Sequence, residues 1–424
     1  MRKLYFCALL VIVSIISCEK IPGLPGAGGG GARFFVSSIS PGEGEPGSTV
    51  TIVGKGFGRD STAAFVSFSG ASAKVLRLTD TSMTVIVPES EAKIADIRVS
   101  IGKSLGPSGF PFHYLDVYTA GYVVNGDNYL SDKISRKMRV WKNGRKLDLF
   151  GNTSDFYTFH GILKDGNDLY LVANSDSNAR GGYFKNSQFI SIPNSHQLSG
   201  IVKRDNDIYV AGRYASDDDY KYYYFKVAGG FFKNGEFHLL GFNQLTPWGI
   251  LFQGSDTILY GYGAQSRGFV TKNGNGLISG LGRAYYPYQC VVHNDSLYTV
   301  VTDDFGPSDH GYLYKNDHTI IDHYNGIFYK IYFDGDDPVI LTGNGLLRVG
   351  HDPVLFPNLG KLRFSPKNLS GVNAQIYTIG LLTLPGTATG SPTTAAYFRN
   401  GKYVLLEKED YVNSFAYLIW AAPR

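Results

Sequence analysis

Cysteine is nearly absent from this chain. Only Cys7, Cys18 and Cys290 occur in 424 residues. Charged residues are scarce at 18%, against roughly 25% in an average soluble protein. The formal net charge is +4, and Arg2 and Lys3 supply two of those charges. So weak a balance excludes the electrostatic footprint of a nucleic-acid binder. The nine histidines form no HExxH and no close pair at ligand spacing, so no zinc site and no metal cofactor is expected. Gly-x-Ser-x-Gly, a P-loop and a dinucleotide fingerprint are likewise missing, which leaves no cofactor-binding motif. The acidic stretches Asp217–Asp219 and Asp303–Asp304 lack the Asp-x-Asp-x-Asp-Gly order of a calcium loop and read as solvated loop acids. No hydrophobic run is long enough to span a bilayer; the longest, Leu4 to Ile16, has 13 residues.

What is present is aromatic and glycine-rich. There are 30 Tyr, 27 Phe and 52 Gly, and hydrophobic residues make up 43%. Tyr and Phe favour strands and Gly favours turns, so the expectation is an all-β protein with a substantial core.

The N-terminus carries an address. Arg2 and Lys3 precede the apolar run, which ends Ile15-Ile16-Ser17-Cys18. A positive n-region and a short h-region define a secretory signal. The ending resembles a bacterial lipobox, which implies cleavage before Cys18 and acylation of its sulfur and new amino group. Two or more acyl chains give stable membrane anchoring. Cys290 then remains alone, so no intramolecular disulfide is available; within Tyr288-Gln289-Cys290-Val291-Val292 it reads as a buried small hydrophobe. Glu19 follows Cys18, so the aspartate of inner-membrane retention is missing, and no acidic run follows to command surface export. The expected location is the outer membrane, facing the cell surface. Residues 21–31, with two Pro and six Gly, read as a flexible tether.

Residues 32–113 carry short strands separated by turn signals every 8–12 residues, the pattern of a small β-sandwich. Ile39-Ser40-Pro41, Gly47-Ser48-Thr49-Val50-Thr51-Ile52, Gly54-x-Gly56-Phe57, Val66-x-Phe68-x-Gly70 and Val85-x-Val87-Pro88 follow in order. Together they resemble an IPT/TIG domain, which implies an immunoglobulin-like fold acting as a spacer or interaction module.

From residue 114 to 424 the chain repeats. One motif is an acidic residue before an apolar strand, as at Asp116, Asp168, Asp207, Asp256, Asp295 and Asp337, with Asn373 in the last copy. The other is an aromatic-Lys-Asn-Gly hairpin: Trp141 to Gly144, Phe184 to Asn186, Phe232 to Gly235, Thr271 to Gly274, Tyr314 to Asn316, a degenerate Leu347 to Gly350, and Phe398 to Gly401. Tyr118 to Tyr377 spans six periods of about 43 residues, the length of a four-stranded blade. Asn-Gly is the preferred type I′ turn. The first copy lacks an inner strand and the chain ends in an unpartnered strand, Ser414 to Trp420. The expectation is a seven-bladed β-propeller whose C-terminal strand completes the first blade and leaves no open edge.

Long loops fall on one face of such a ring, where function concentrates. Trp248, Tyr285, Tyr286, Tyr288 and Tyr157 stand where inner strands begin, and Asp303, Asp304 and His310 lie in a loop between strands two and three. Aromatic faces with nearby carboxylates suit sugar rings. Trp141 and Trp420 read instead as blade core.

The order of lipobox, tether, sandwich and propeller resembles surface lipoproteins of Gram-negative gut anaerobes that accompany polysaccharide-uptake machinery. That resemblance implies a non-catalytic, membrane-anchored surface lipoprotein that binds a polysaccharide or a protein partner alongside an outer-membrane uptake complex. Two other classes stay open: a propeller enzyme acting on polysaccharide, which needs two carboxylates at fixed separation, and an adhesin or scaffold without a small ligand.

Overall fold

The computed structural model describes residues 34–106, 109–124, 136–149, 156–175, 181–214, 228–243, 245–263, 267–278, 285–303, 309–357, 363–372, 375–383, 393–399, 402–407 and 413–424. Cys18, the tether and Asp304 lie outside them, as do Asp217–Asp219 and Asn400-Gly401 of the last hairpin motif. Among the described residues every helix or strand assigned is a β-strand.

At the N-terminus, Phe35–Ser40, Thr49–Lys55 and Ser82–Ile86 pair in series. Ala71–Leu78 pairs with both Ser82–Ile86 and Ala64–Phe68, and Ala64–Phe68 continues to Ile94–Ile101. Alternate residues point inward, as the strand period of two requires: Val50 and Ile52 are buried while Val53 is exposed. Phe68, Phe112 and Tyr114 meet edge-to-face at this core, with centroids 5.2 and 5.3 Å apart.

The 15-residue strand Phe110–Val124 serves two domains. Its first part pairs with Ile94–Ile101, and its second part pairs with Lys137–Lys142 and with the C-terminal strand Asn413–Pro423. The junction is therefore continuous strand with no linker. Six further antiparallel sheets of four or five strands follow, beginning at Phe156, Ser195, Thr246, Tyr285, Phe328 and Arg363. Within each, strands pair in sequence order from innermost to outermost. Innermost strands contact one another in series, and Asn413–Pro423 packs between Arg363–Val372 and Phe156–Asp165, so the sheets form a propeller-like ring.

The repeated motifs meet in space. At Asn143, Asn234 and Asn273 φ is 50–53°, followed by glycine at 83–91°, the backbone of a type I′ turn. Each asparagine also reaches back to the acidic motif. Asn186 Oδ1 accepts the Leu169 N–H, Asn234 Oδ1 that of Ile208, and Asn273 Oδ1 that of Thr257, each at 2.9 Å. Their Nδ2 groups donate to Asp168, Asp207 and Asp256 at 2.6–2.9 Å. Lys185, Lys233 and Lys272 complete the clasps at 2.7–2.9 Å and hold these carboxyls below the ordinary aspartate range, with the asparagines adding to the effect. Two copies depart from the expectation. Ser296, rather than Asp295, stands at the acidic position, because Asn294 and Asp295 form the preceding turn with positive φ. Leu347 to Gly350 makes no two-residue turn, since Leu346 pairs with Val354.

In the last sheet the clasp is rewritten. Gln375 and Arg399 face each other at 3.0 Å, and the guanidinium turns to Glu45 of the N-terminal domain. Both charged side chains are 4% exposed, and the Tyr377 hydroxyl donates to Glu45 at 2.9 Å. Arg424 adds a second tie: Nε meets Asp116 at 2.8 Å, Nη1 donates to the Ser90 carbonyl, and the guanidinium lies over the Tyr114 ring. The N-terminal domain thus sits at the end where inner strands finish.

Candidate functional site at the channel mouth

The inner strands share one irregularity. Six of them insert an extra residue opposite equivalent points of the neighbouring strand, at His160, Trp248, Tyr288, Tyr329, Lys367 and Tyr417, and Phe156–Asp165 inserts a second at Tyr157. In the sheet beginning at Ser195 the inner strand breaks between His196 and Ile201 instead. A bulge bends its strand and re-aims a side chain. Small residues opposite make room: a Cβ at Gly261 would lie 2.2 Å from the Thr246 carbonyl, and one at Gly121 would lie 1.8 Å from that of Phe415. This close approach is why glycine ends several copies of the acidic-strand motif.

The strands enclose a central cavity of about 700 Å³, lined by residues of the six further sheets and of Asn413–Pro423. Trp248 lines it, and three tyrosines surround that indole: Tyr286 stacked at 6.0 Å and 25°, Tyr288 at 5.6 Å and Tyr262 at 5.3 Å. Tyr288 extends the cluster to Tyr329 at 6.2 Å. All five rings are half-buried.

The expected site residues divide. Trp248, Tyr286 and Tyr288 come together, with Trp248 lining the cavity. Tyr285 packs instead on Tyr312 at 5.4 Å, away from the indole cluster. Asp303 is buried and accepts the His310 N–H and the Tyr312 hydroxyl, both at 2.8 Å. Only 7% of its side chain is exposed, so it organises a loop base and does not face solvent. His310 sits 3.5 Å from that carboxylate and is half-buried. Burial, then the hydrogen bond to Asp303, pushes the Tyr312 hydroxyl up. Tyr157 lies in Phe156–Asp165 with its side chain outside the described residues, like Asp304 and Cys18.

Trp141 is fully buried, with Nε1 donating to the Glu407 carbonyl at 2.6 Å, as a core residue should. Trp420 differs from the core expectation: it is half-buried and lines the cavity, because the closing strand turns one edge toward the channel. Cys290 is a buried free thiol, its Sγ 3.2 Å from Thr299 Oγ1, and burial pushes it up to about 12.

His160, Tyr262, Tyr329 and Lys330 escaped sequence reasoning. Aligning the repeats on the residue before Gly161, Gly249, Gln289 and Lys330 would have found the bulged set, since His160, Trp248, Tyr288 and Tyr329 then fall in one column. Nothing in the local pattern marks Lys330 itself.

Residues 35–114 match the IPT/TIG domain family. No curated protein matches the chain. Among solved structures, an auxiliary nutrient binding protein from Bacteroides ovatus is 13% identical, with 73% of this chain and 95% of that one covered and a TM-score of 0.27. An auxiliary nutrient binding protein from Bacteroides thetaiotaomicron is 15% identical over 86% and 85% of the two chains, with a TM-score of 0.31. The β-propeller domain of the Trilobed protease from Pyrococcus furiosus is 9% identical over 89% and 98%, with a TM-score of 0.38.

Proposed function

We propose that this chain is an extracytoplasmic lipoprotein, anchored in the outer membrane through Cys18 and facing the cell surface, that captures glycan at the loop-rich mouth of a seven-bladed propeller. The sheet of Asn413–Pro423, the second half of Phe110–Val124, Lys137–Lys142 and Arg145–Leu147 is read as the seventh blade. Residues 35–114 are read as an immunoglobulin-like sandwich that spaces the ring from the membrane. An outer-membrane uptake complex is the partner this arrangement would serve.

The observation that carries the binding reading is the Trp248–Tyr286–Tyr288 cluster beside an open cavity. Half-buried aromatic rings offer flat apolar faces without large ordering cost, the surface that sugar C–H faces stack upon. The cavity volume lies in the range of small-ligand sites. Domain placement supports the same reading, because the mouth points away from the N-terminal domain and its tether.

The test is retention on polysaccharide affinity gels. Binding energy on such a surface concentrates in a few aromatic platforms, each worth about 1–3 kcal/mol. Trp248→Ala is expected to weaken retention at least several-fold while the melting temperature stays within a few degrees. Unchanged retention, or a glycan array blank for the wild-type protein, would remove the glycan reading and transfer weight to a protein partner.

A further inference from the structure

The described residues that line the channel include Lys330 and the imidazoles of His160 and His293, but no aspartate or glutamate. His293 belongs to the far end, where it stacks on Phe333 and meets Asp336 at 3.1 Å. Polar side chains of the wall are largely committed to stitching neighbouring inner strands. Gln289 Oε1 accepts the Ile331 N–H at 2.8 Å, Asn368 Nδ2 donates to the Tyr417 carbonyl at 3.1 Å, and Ser370 Oγ accepts the Ala421 N–H at 3.0 Å.

Lys330 is the exception. It stands directly after the Tyr329 bulge, paired in register with Leu341, and has neither a hydrogen-bond nor an ion-pair partner among the described residues. Its neighbour across the strand gap is the Cys290 thiol, which is neutral at physiological pH. Burial pushes the ammonium down to about 8, so it remains mostly charged near neutrality. Lys330 is half-buried on the cavity wall, and a cation placed there with no acid beside it among the described residues is positioned for a ligand that brings the opposite charge.

We propose that the channel receives the acidic unit of a carboxylate-bearing saccharide, its carboxylate taken by Lys330 and its ring face by Trp248. This deepens the glycan reading above and rests on it for the sugar class. The charge complement comes from the wall itself: a lysine with no acid among the described lining residues, in a cavity of monosaccharide-to-disaccharide size that Trp248 also lines. A neutral sugar would leave the ammonium unsatisfied. A bare inorganic anion would leave the aromatic faces unused.

The experiment titrates the full mature protein with glucuronate, galacturonate, glucose, galactose and inorganic phosphate, following heat and tryptophan fluorescence. The uronates are expected to bind at least tenfold more tightly than either the neutral sugars or phosphate. Lys330→Met is expected to abolish that preference while its melting temperature stays equal to the wild type or rises, because a desolvated charge has been removed. Equal binding of glucuronate and glucose would overturn the proposal. So would uronate affinity unchanged in Lys330→Met, or a marked fall in melting temperature, which would make the lysine structural. The two readings fail separately. Gel retention that depends on Trp248, with uronate binding indifferent to Lys330, sinks the channel site alone. Uronate binding that needs Lys330 and Trp248, with no retention of the wild-type protein on any polysaccharide gel, sinks polysaccharide capture alone.

Discussion

Asn234 shows what one residue does in this repeat. Its backbone supplies the positive φ of the turn, its Oδ1 accepts a strand N–H, and its Nδ2 holds Asp207 for Lys233. The turn role is visible in the sequence, because Asn-Gly has a local conformational meaning. The clasp role is not, because Asp207 lies a whole hairpin earlier. The same geometry explains the single copy that departs most usefully. Gln375 replaces the acid, so Arg399 needs an acid from elsewhere, and Glu45 comes from the other domain. Removing one partner of a buried pair leaves an uncompensated charge, at a cost of about 3–5 kcal/mol. Glu45→Ala is therefore expected to lower stability to denaturant by that order. Asp207→Ala, which breaks a solvent-exposed clasp, should shift the midpoint much less. Similar midpoints for the two variants would show that the interdomain ion pair contributes no more than a surface clasp.

At the level of elements, the decisive strand is the last. Asn413–Pro423 pairs along Leu115–Val124 and packs against inner strands on both sides. Its side chains Phe415, Ala416, Leu418 and Ile419 are buried in two adjoining cores. Without it, the edge of Phe110–Val124 that it covers would stand open, which invites aggregation. Deletion of residues 413–424 is expected to yield insoluble protein, or soluble protein melting far below the wild type. A soluble truncation with an unchanged melting temperature would mean that the ring does not depend on this strand. The sequence expectation of a shared sheet came from counting: an inner strand missing at the start and one left over at the end. The bulges could not be counted this way, because a single inserted residue disappears within a period of about 43.

For the whole molecule, the geometry sets an order from membrane to ligand. The N-terminal domain meets the ring where Glu45, Ser90 and Tyr114 engage Arg399 and Arg424. The aromatic cluster of Trp248, Tyr286 and Tyr288 lies at the other end, where the inner strands Thr246–Gln253 and Tyr285–His293 begin. If Cys18 carries the acyl chains, the mouth is presented outward, beyond the spacer. Cys18→Ala is expected to move the protein from the membrane fraction to the soluble fraction at similar abundance. Continued membrane association of that variant would refute the anchor.

Local chemistry alone determined the strand content, the hairpin turns, the repeat length and the IPT/TIG pattern, because each depends on residues within about one period. Trp248, Tyr286 and Tyr288 were legible for the same reason: aromatics clustered where inner strands begin. Tertiary structure decided the rest. Asp303 and Tyr285 looked like their neighbours in sequence, yet burial turned them into scaffolding while the bulge turned Trp248 toward the cavity. Lys330 reads as an ordinary strand lysine until strands from the whole ring surround it. Such a site is made of residues from His160 to Trp420, brought together only by ring closure, and no local preference encodes which of their side chains share one channel.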